Sequence, residues 1–171
     1  PFVADPGPYG EISDHPSAGV WLAGVTVPSL WAVFEPRTQK VHDGDTAAQL
    51  KNSACRTGPG GGANGQLVPV GPREWLLFVD QCQIPDAFFR SAFAVLPRVF
   101  DLSHARAVVE VSGSSAVSLL AKGCPVALDD LAPGSAVSTV LGPYSVVLVR
   151  VEDAFHIVFP RTYARSGWAW L

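Results

Sequence analysis

The stretch from Phe100 to Pro125, Phe-Asp-Leu-Ser-His-Ala-Arg-Ala-Val-Val-Glu-Val-Ser-Gly-Ser-Ser-Ala-Val-Ser-Leu-Leu-Ala-Lys-Gly-Cys-Pro, constrains the fold of this chain more than any other. Ala107, Val109 and Val111 alternate with Val108, Glu110 and Ser112, the period of a strand with one better-buried face. Gly113 ends that strand. Ser114 or Ser115 is placed to cap a helix, its hydroxyl accepting from amides that have no partner in the first turn. Ala116, Val117, Leu119 and Leu120 supply an apolar helical face. Lys122 falls in the last turn, Gly123 lies just beyond it where a left-handed residue is wanted, and Pro125 bars continuation. The unit is a strand–turn–helix with both ends signed, and it carries no obvious chemistry.

On its N-terminal side, residues 1–19 hold Pro1, Pro6, Pro8 and Pro16 with Gly7, Gly10 and Gly19, the composition of an irregular arm poor in backbone donors. Residues 20–171 form the domain proper. Val20–Val27 and Leu30–Phe34 read as strands interrupted by Pro28 and Pro36, and Thr46–Leu50 as a short helix. The segment Gly58–Gly65, Gly-Pro-Gly-Gly-Gly-Ala-Asn-Gly, is a flexible connection and the natural place for a lobe boundary. Gln66–Val70 is a strand, Gly71-Pro72 a turn, and Glu74–Val79, apolar on both faces, a central strand. Ile84–Leu96 reads as a helix opened by Pro85.

Beyond Pro125, Leu128–Leu131 is a loop or single turn. Ala136–Leu141, Tyr144–Val151 and Ala154–Phe159 form a meander turning at Gly142-Pro143 and Glu152-Asp153. The chain closes on a helix that puts Ala164, Trp168 and Leu171 on one side and Tyr163, Gly167 and Trp170 on another. Two tryptophans within the last four residues are a large apolar area that must be covered. The order of elements is α+β, a mainly antiparallel sheet with two to three helices.

Composition narrows the function classes. A net charge of −3 argues against nucleic acid, which needs a clustered excess of Lys and Arg. No apolar run reaches the length of a membrane span, and no basic segment followed by an apolar block suggests a secretory leader. Cys55, Cys82 and Cys124 are odd in number and far apart, which disfavours a closed zinc site and fits buried thiols in a reducing, cytoplasmic setting. Charged residues make up only 16% of the chain, which fits either a compact β-rich domain or a subunit with part of its surface covered by another chain.

Candidate chemistry is thin. Asp101, Ser103 and His104 are the residue types of a hydrolytic triad, but neighbours on an extended backbone face opposite ways and cannot share a proton. A small hydrolase using His104 with a distant partner stays as a minor alternative. Gly58–Gly62 lacks the Gly-Lys-Ser/Thr ending of a phosphate loop. His42-Asp43-Gly44-Asp45 is better read as a turn than as a metal site, and Asp129-Asp130 as capping or solvated acids. His15 is isolated; so is His156, a mid-strand histidine of the ordinary satisfied kind. No catalytic, cofactor-binding or metal-binding residue is defensible from local spacing.

Four pieces of sequence carry a resemblance. Phe100 to Ala116 resembles the first-domain segment of the aminomethyltransferase family, the folate-binding T-proteins of glycine cleavage and their relatives. Gly71-Pro72-Arg73-Glu74-Trp75-Leu76-Leu77, Leu119-Leu120-Ala121-Lys122-Gly123-Cys124-Pro125 and Phe159-Pro160-Arg161-Thr162-Tyr163-Ala164 through Trp170-Leu171 are similar to segments of the gamma-subunit family of heterotetrameric sarcosine oxidases. Thr162 and Tyr163 stand where that family usually has Ser and Phe, and residues 1–65 match nothing nameable.

The resemblance implies a gamma-type assembly subunit with an aminomethyltransferase-like fold, packed directly on a large alpha subunit beside beta and delta subunits. Such an enzyme oxidatively demethylates sarcosine or a related amine, passing the carbon to tetrahydrofolate or releasing it as formaldehyde. FAD, FMN, NAD, zinc and tetrahydrofolate belong to the other subunits, and this chain is expected to bind none of them. Tyr163, Trp168, Trp170 and Leu171 are the candidate interface residues. The runner-up is a stand-alone folate-binding or aminomethyl-transfer module.

Overall fold

The computed structural model describes residues 13–15, 19–25, 29–34, 54–55, 65–79 and 96–171. Among them run the strands β1 (Ser13–His15), β2 (Val20–Val25), β3 (Ser29–Phe34), β4 (Ala54–Cys55), β5 (Gly65–Gly71), β6 (Glu74–Val79), β7 (Arg98–Asp101), β8 (Arg106–Ser112), β9 (Ala136–Leu141), β10 (Tyr144–Val151) and β11 (Ala154–Pro160). Helices α1 (Ala116–Leu120) and α2 (Ala164–Trp170) complete them, with single 3-10 turns at Leu128–Asp130 and Arg161–Tyr163. The expected helices Thr46–Leu50 and Ile84–Leu96 (all but its last residue), most of the arm, and His42 to Asp45 lie outside the described residues, as do the side chains of His15, Cys55 and Cys82.

The fold is α+β with antiparallel sheet, and the chain divides into two compact units, Pro1–Thr26 with His104–Leu171 and Val27–Ser103. The divisions therefore fall at Thr26–Val27 and Ser103–His104, while segment 58–65 is numbered within the second unit.

The first unit is built on a six-stranded sheet in the order β1-β2-β8-β11-β10-β9. One face carries the core: Val109 and Val111 stand opposite Ile157 and Phe155, and Leu148, Leu141 and Phe159 extend the layer beneath Ala116 and Leu120 of α1. Alternation in β8 and β11 puts every second side chain into this layer, which is why the strand period was readable. The meander turns sit where expected, with Gly142 at φ +56° and Glu152 at φ +47° absorbing the reversals.

The start of α1 is secured differently from the sequence expectation. No serine hydroxyl caps it. The backbone N–H of Ser115, the residue at the cap position, instead donates to the carbonyl of Gly19 at 3.0 Å, so the residue just before β2 ties down the start of the helix. Gly113, at φ +103°, lets that carbonyl approach; a Cβ there would lie 2.3 Å from Gly19 O.

The second unit is a five-stranded sheet in the order β4-β5-β6-β3-β7. β6 is central, and Trp75 through Val79 are all buried, as a strand apolar on both faces requires. Arg73, at φ +61°, makes the tight β5–β6 turn. At the edge, every residue of β7 is exposed, and Phe100 leans on Phe34 with ring centroids 5.7 Å apart at 75°.

Candidate interaction surface

Strand β11 ends at Pro160, whose extended backbone passes into the 3-10 turn Arg161–Tyr163 and then α2. The Arg161 amide donates to Ala105 O at 2.9 Å, pinning the turn to the residue just before β8. Gly167 is the buried residue of α2. A Cβ at this position would lie 2.6 Å from the Phe159 ring, so only glycine lets the helix backbone rest on that aromatic.

The end of α2 has a seat of its own. Gly142 donates its N–H to the carbonyl of Gly123 at 2.9 Å, and the indole of Trp170 lies against both glycines. A Cβ on Gly123 would be 2.3 Å from Trp170 Cη2, and one on Gly142 would be 2.8 Å from Cε2. This corrects the sequence reading of Gly123. It is not left-handed, and its missing side chain makes room for Trp170 rather than turning the chain.

Trp168, Trp170 and Leu171 are half-buried and pack on the core of their own unit. Tyr163 is 48% exposed. It is the outer member of a run of rings: Tyr163 tilts at 46° against Tyr144 with centroids 5.6 Å apart, and Tyr144 meets the fully buried Phe159 edge-on at 6.0 Å. Arg161, Thr162, Arg165 and Ser166 are exposed beside it. The surface is a ridge with an aromatic root in the core and two guanidiniums on its outside. Those arginines were not singled out from the sequence. Their signal was the i, i+4 spacing around Tyr163, in a stretch from Pro160 to Leu171 that holds no acid.

The other candidates are structural or dispersed. The Ser103 hydroxyl donates to Asp101 Oδ1 at 2.5 Å and accepts from the Leu30 amide at 3.0 Å, while the Ser103 amide also donates to Asp101 Oδ1 at 2.8 Å. Its proton is therefore held by a carboxylate in a turn, and His104 is exposed. His156, 3% exposed, faces Glu110 across the β8–β11 ladder with Nε2 3.2 Å from Oε2. Burial pulls its pKa below the ordinary value, and the Glu110 hydrogen bond and charge pull weakly the other way. Asp129 and Asp130 are exposed, and the buried Cys124 thiol lies 3.8 Å from Thr139 Oγ1.

Among the described residues no three His, Cys, Asp or Glu side chains group as a metal site would need, and no helix is long and apolar enough to cross a membrane.

No protein-family model matches the chain, and no curated protein matches it by sequence. Solved structures do. A chain of the heterotetrameric sarcosine oxidase from Corynebacterium sp. U-96, in complex with pyrrole 2-carboxylate, superposes with TM-score 0.65 at 22% identity over 94% of this chain and 84% of that one. The glycine cleavage system aminomethyltransferase T from Bartonella henselae superposes with TM-score 0.58 at 16% identity, over 99% of this chain but 52% of its own length. The chain shares their fold. It spans 84% of the sarcosine oxidase chain's length and about half of the aminomethyltransferase's.

Proposed function

We propose that this chain is a non-catalytic assembly subunit of a sarcosine oxidase-type flavoenzyme that oxidatively demethylates sarcosine or a related secondary or tertiary amine. It plays the gamma role, docking directly on the large alpha subunit beside beta and delta subunits. FAD, FMN, NAD, zinc and tetrahydrofolate are held by those other subunits, and the assembly works in the cytoplasm. The observation that carries the reading is the superposition on a sarcosine oxidase chain over 94% of this chain and 84% of that one. The ridge around Tyr163 supports it, since an exposed aromatic flanked by arginines has the composition of an interface centre.

The experiment is co-expression with the large subunit of such an enzyme. Co-purification as a stoichiometric complex is the expected result, and independent elution of two well-behaved proteins overturns the reading. Removing Ser166–Leu171 is a poor probe, because it also takes Gly167 and Trp170 out of the chain's own core. Exposed-residue substitutions are the clean ones.

The second reading, a stand-alone folate-binding or aminomethyl-transfer module, draws on the aminomethyltransferase likeness. Saturable, tight binding of tetrahydrofolate by the isolated chain would favour it.

A further inference from the structure

We infer that the partner surface received by the Arg161–Tyr163–Arg165 ridge is an acidic protein surface, carrying carboxylates for two guanidiniums around a recess for the phenol ring. The inference rests on the assembly reading above and adds the chemistry of the docking partner.

The chain as a whole is acidic, with 15 Asp and Glu against 12 Lys and Arg. The ridge reverses that sign. Pro160 to Leu171 contains two arginines and no acid, and Arg106 stands opposite Pro160 in the β8–β11 ladder, adding a third guanidinium beside the same turn. Arg161 and Arg165 are exposed and lie about one helical turn apart. Among the described residues neither forms an ion pair; the pair recorded there is His156 with Glu110.

Arginine presents a planar fork that meets a carboxylate through two parallel hydrogen bonds, and it is more weakly hydrated than lysine, so it suits a surface that will be covered. Tyr163 between them is anchored on Tyr144, so little conformational freedom is lost when a partner closes over it. A pair of exposed guanidiniums gives a positive potential that an anionic partner complements, which also speeds encounter. A phosphate backbone is the weaker fit, because nucleic-acid binders neutralise on the order of 6–10 phosphates and the ridge offers three cations at most.

The test uses the full chain and three probes: a fluorescent glutamate-rich peptide, a single-stranded oligonucleotide of equal charge, and the co-expressed large subunit. The wild-type chain should bind the peptide more tightly than the oligonucleotide, and affinity should fall as salt rises. R161A/R165A should bind the peptide about tenfold more weakly, R161K/R165K should fall between, and R98A, in the other unit, should match wild type. Circular dichroism confirms that these exposed variants fold. Equal peptide affinity of wild type and R161A/R165A overturns the inference, as does tighter binding to the oligonucleotide. In the large-subunit arm, a complex that forms equally well with R161E/R165E also overturns it and leaves the assembly reading standing. A complex that never forms removes the assembly reading, and the peptide arm then decides the inference alone.

Discussion

Gly123→Ala adds one methyl group where the structure leaves no room. The new carbon would lie 2.3 Å from Trp170 Cη2, 2.6 Å from Cζ2 and 2.9 Å from the Gly142 amide nitrogen. Real side-chain carbons do not approach this closely, so the indole must leave its seat or the β9–β10 turn must move. Overpacking of this kind costs about 1–3 kcal/mol. A loss of about 2 kcal/mol corresponds to a fall in Tm of roughly 4–8 °C for a chain of this length.

Gly123 does not have a positive φ, so the penalty is steric and should vanish with its cause. Trp170→Ala alone should cost about 2–3 kcal/mol, below the range of about 3–5 kcal/mol for a buried large aromatic because the ring is half-buried. In that background Gly123→Ala should be close to neutral. The residual contact with Gly142 is offset by the smaller backbone entropy that alanine loses on folding, about 0.4–1 kcal/mol.

The double-mutant cycle, read by thermal and urea denaturation, should therefore show a coupling of about 2 kcal/mol. Gly142→Ala is the internal control. Its φ of +56° strains any L side chain, so about 1 kcal/mol of its cost should persist without Trp170. If Gly123→Ala costs the same with and without Trp170, or costs nothing in either, the seat does not exist as described.

Other expectations follow from single contacts. Because burial lowers the His156 pKa, the folded state binds fewer protons than the unfolded one below the ordinary histidine range. Stability from this group is thus intact above about pH 6.5 and is lost as pH falls through the depressed folded value; the urea midpoint of wild type should drop more on acidification than that of His156→Gln. Ser103→Ala leaves the Leu30 amide without its acceptor and should cost about 1–2 kcal/mol by urea denaturation, whereas His104→Ala at an exposed position should be within about 0.5 kcal/mol of wild type. A hydrolytic activity abolished by His104→Ala would contradict this assignment.

What was legible in the sequence was local. The alternation in Arg106–Ser112, the double-sided run Trp75–Val79 and the turn residues of the C-terminal meander each act within a few positions, and each element lies where its pattern put it. Long-range contacts left no such trace. The β2–β8 pairing joins strands separated by the whole of the second unit, so neither that ladder nor the division into units could be read from neighbouring residues. The same holds for the tie at the start of α1, where the Ser115 amide meets the Gly19 carbonyl from far upstream, and for Gly123, which answers to Trp170. The closing tryptophans were expected at a subunit interface, and within this chain they pack on the core of their own unit. Part of their cover comes from two glycines of the same chain, which is why the exposed residue of the group is Tyr163.

Hydrogen–deuterium exchange on the chain alone and bound to the large subunit tests the central claim most directly. Peptides spanning Arg161 to Arg165 should gain protection on complex formation, while those covering the core strand Ala154–Pro160 stay as slow as before. Unchanged exchange across the ridge in a stable complex would contradict the account.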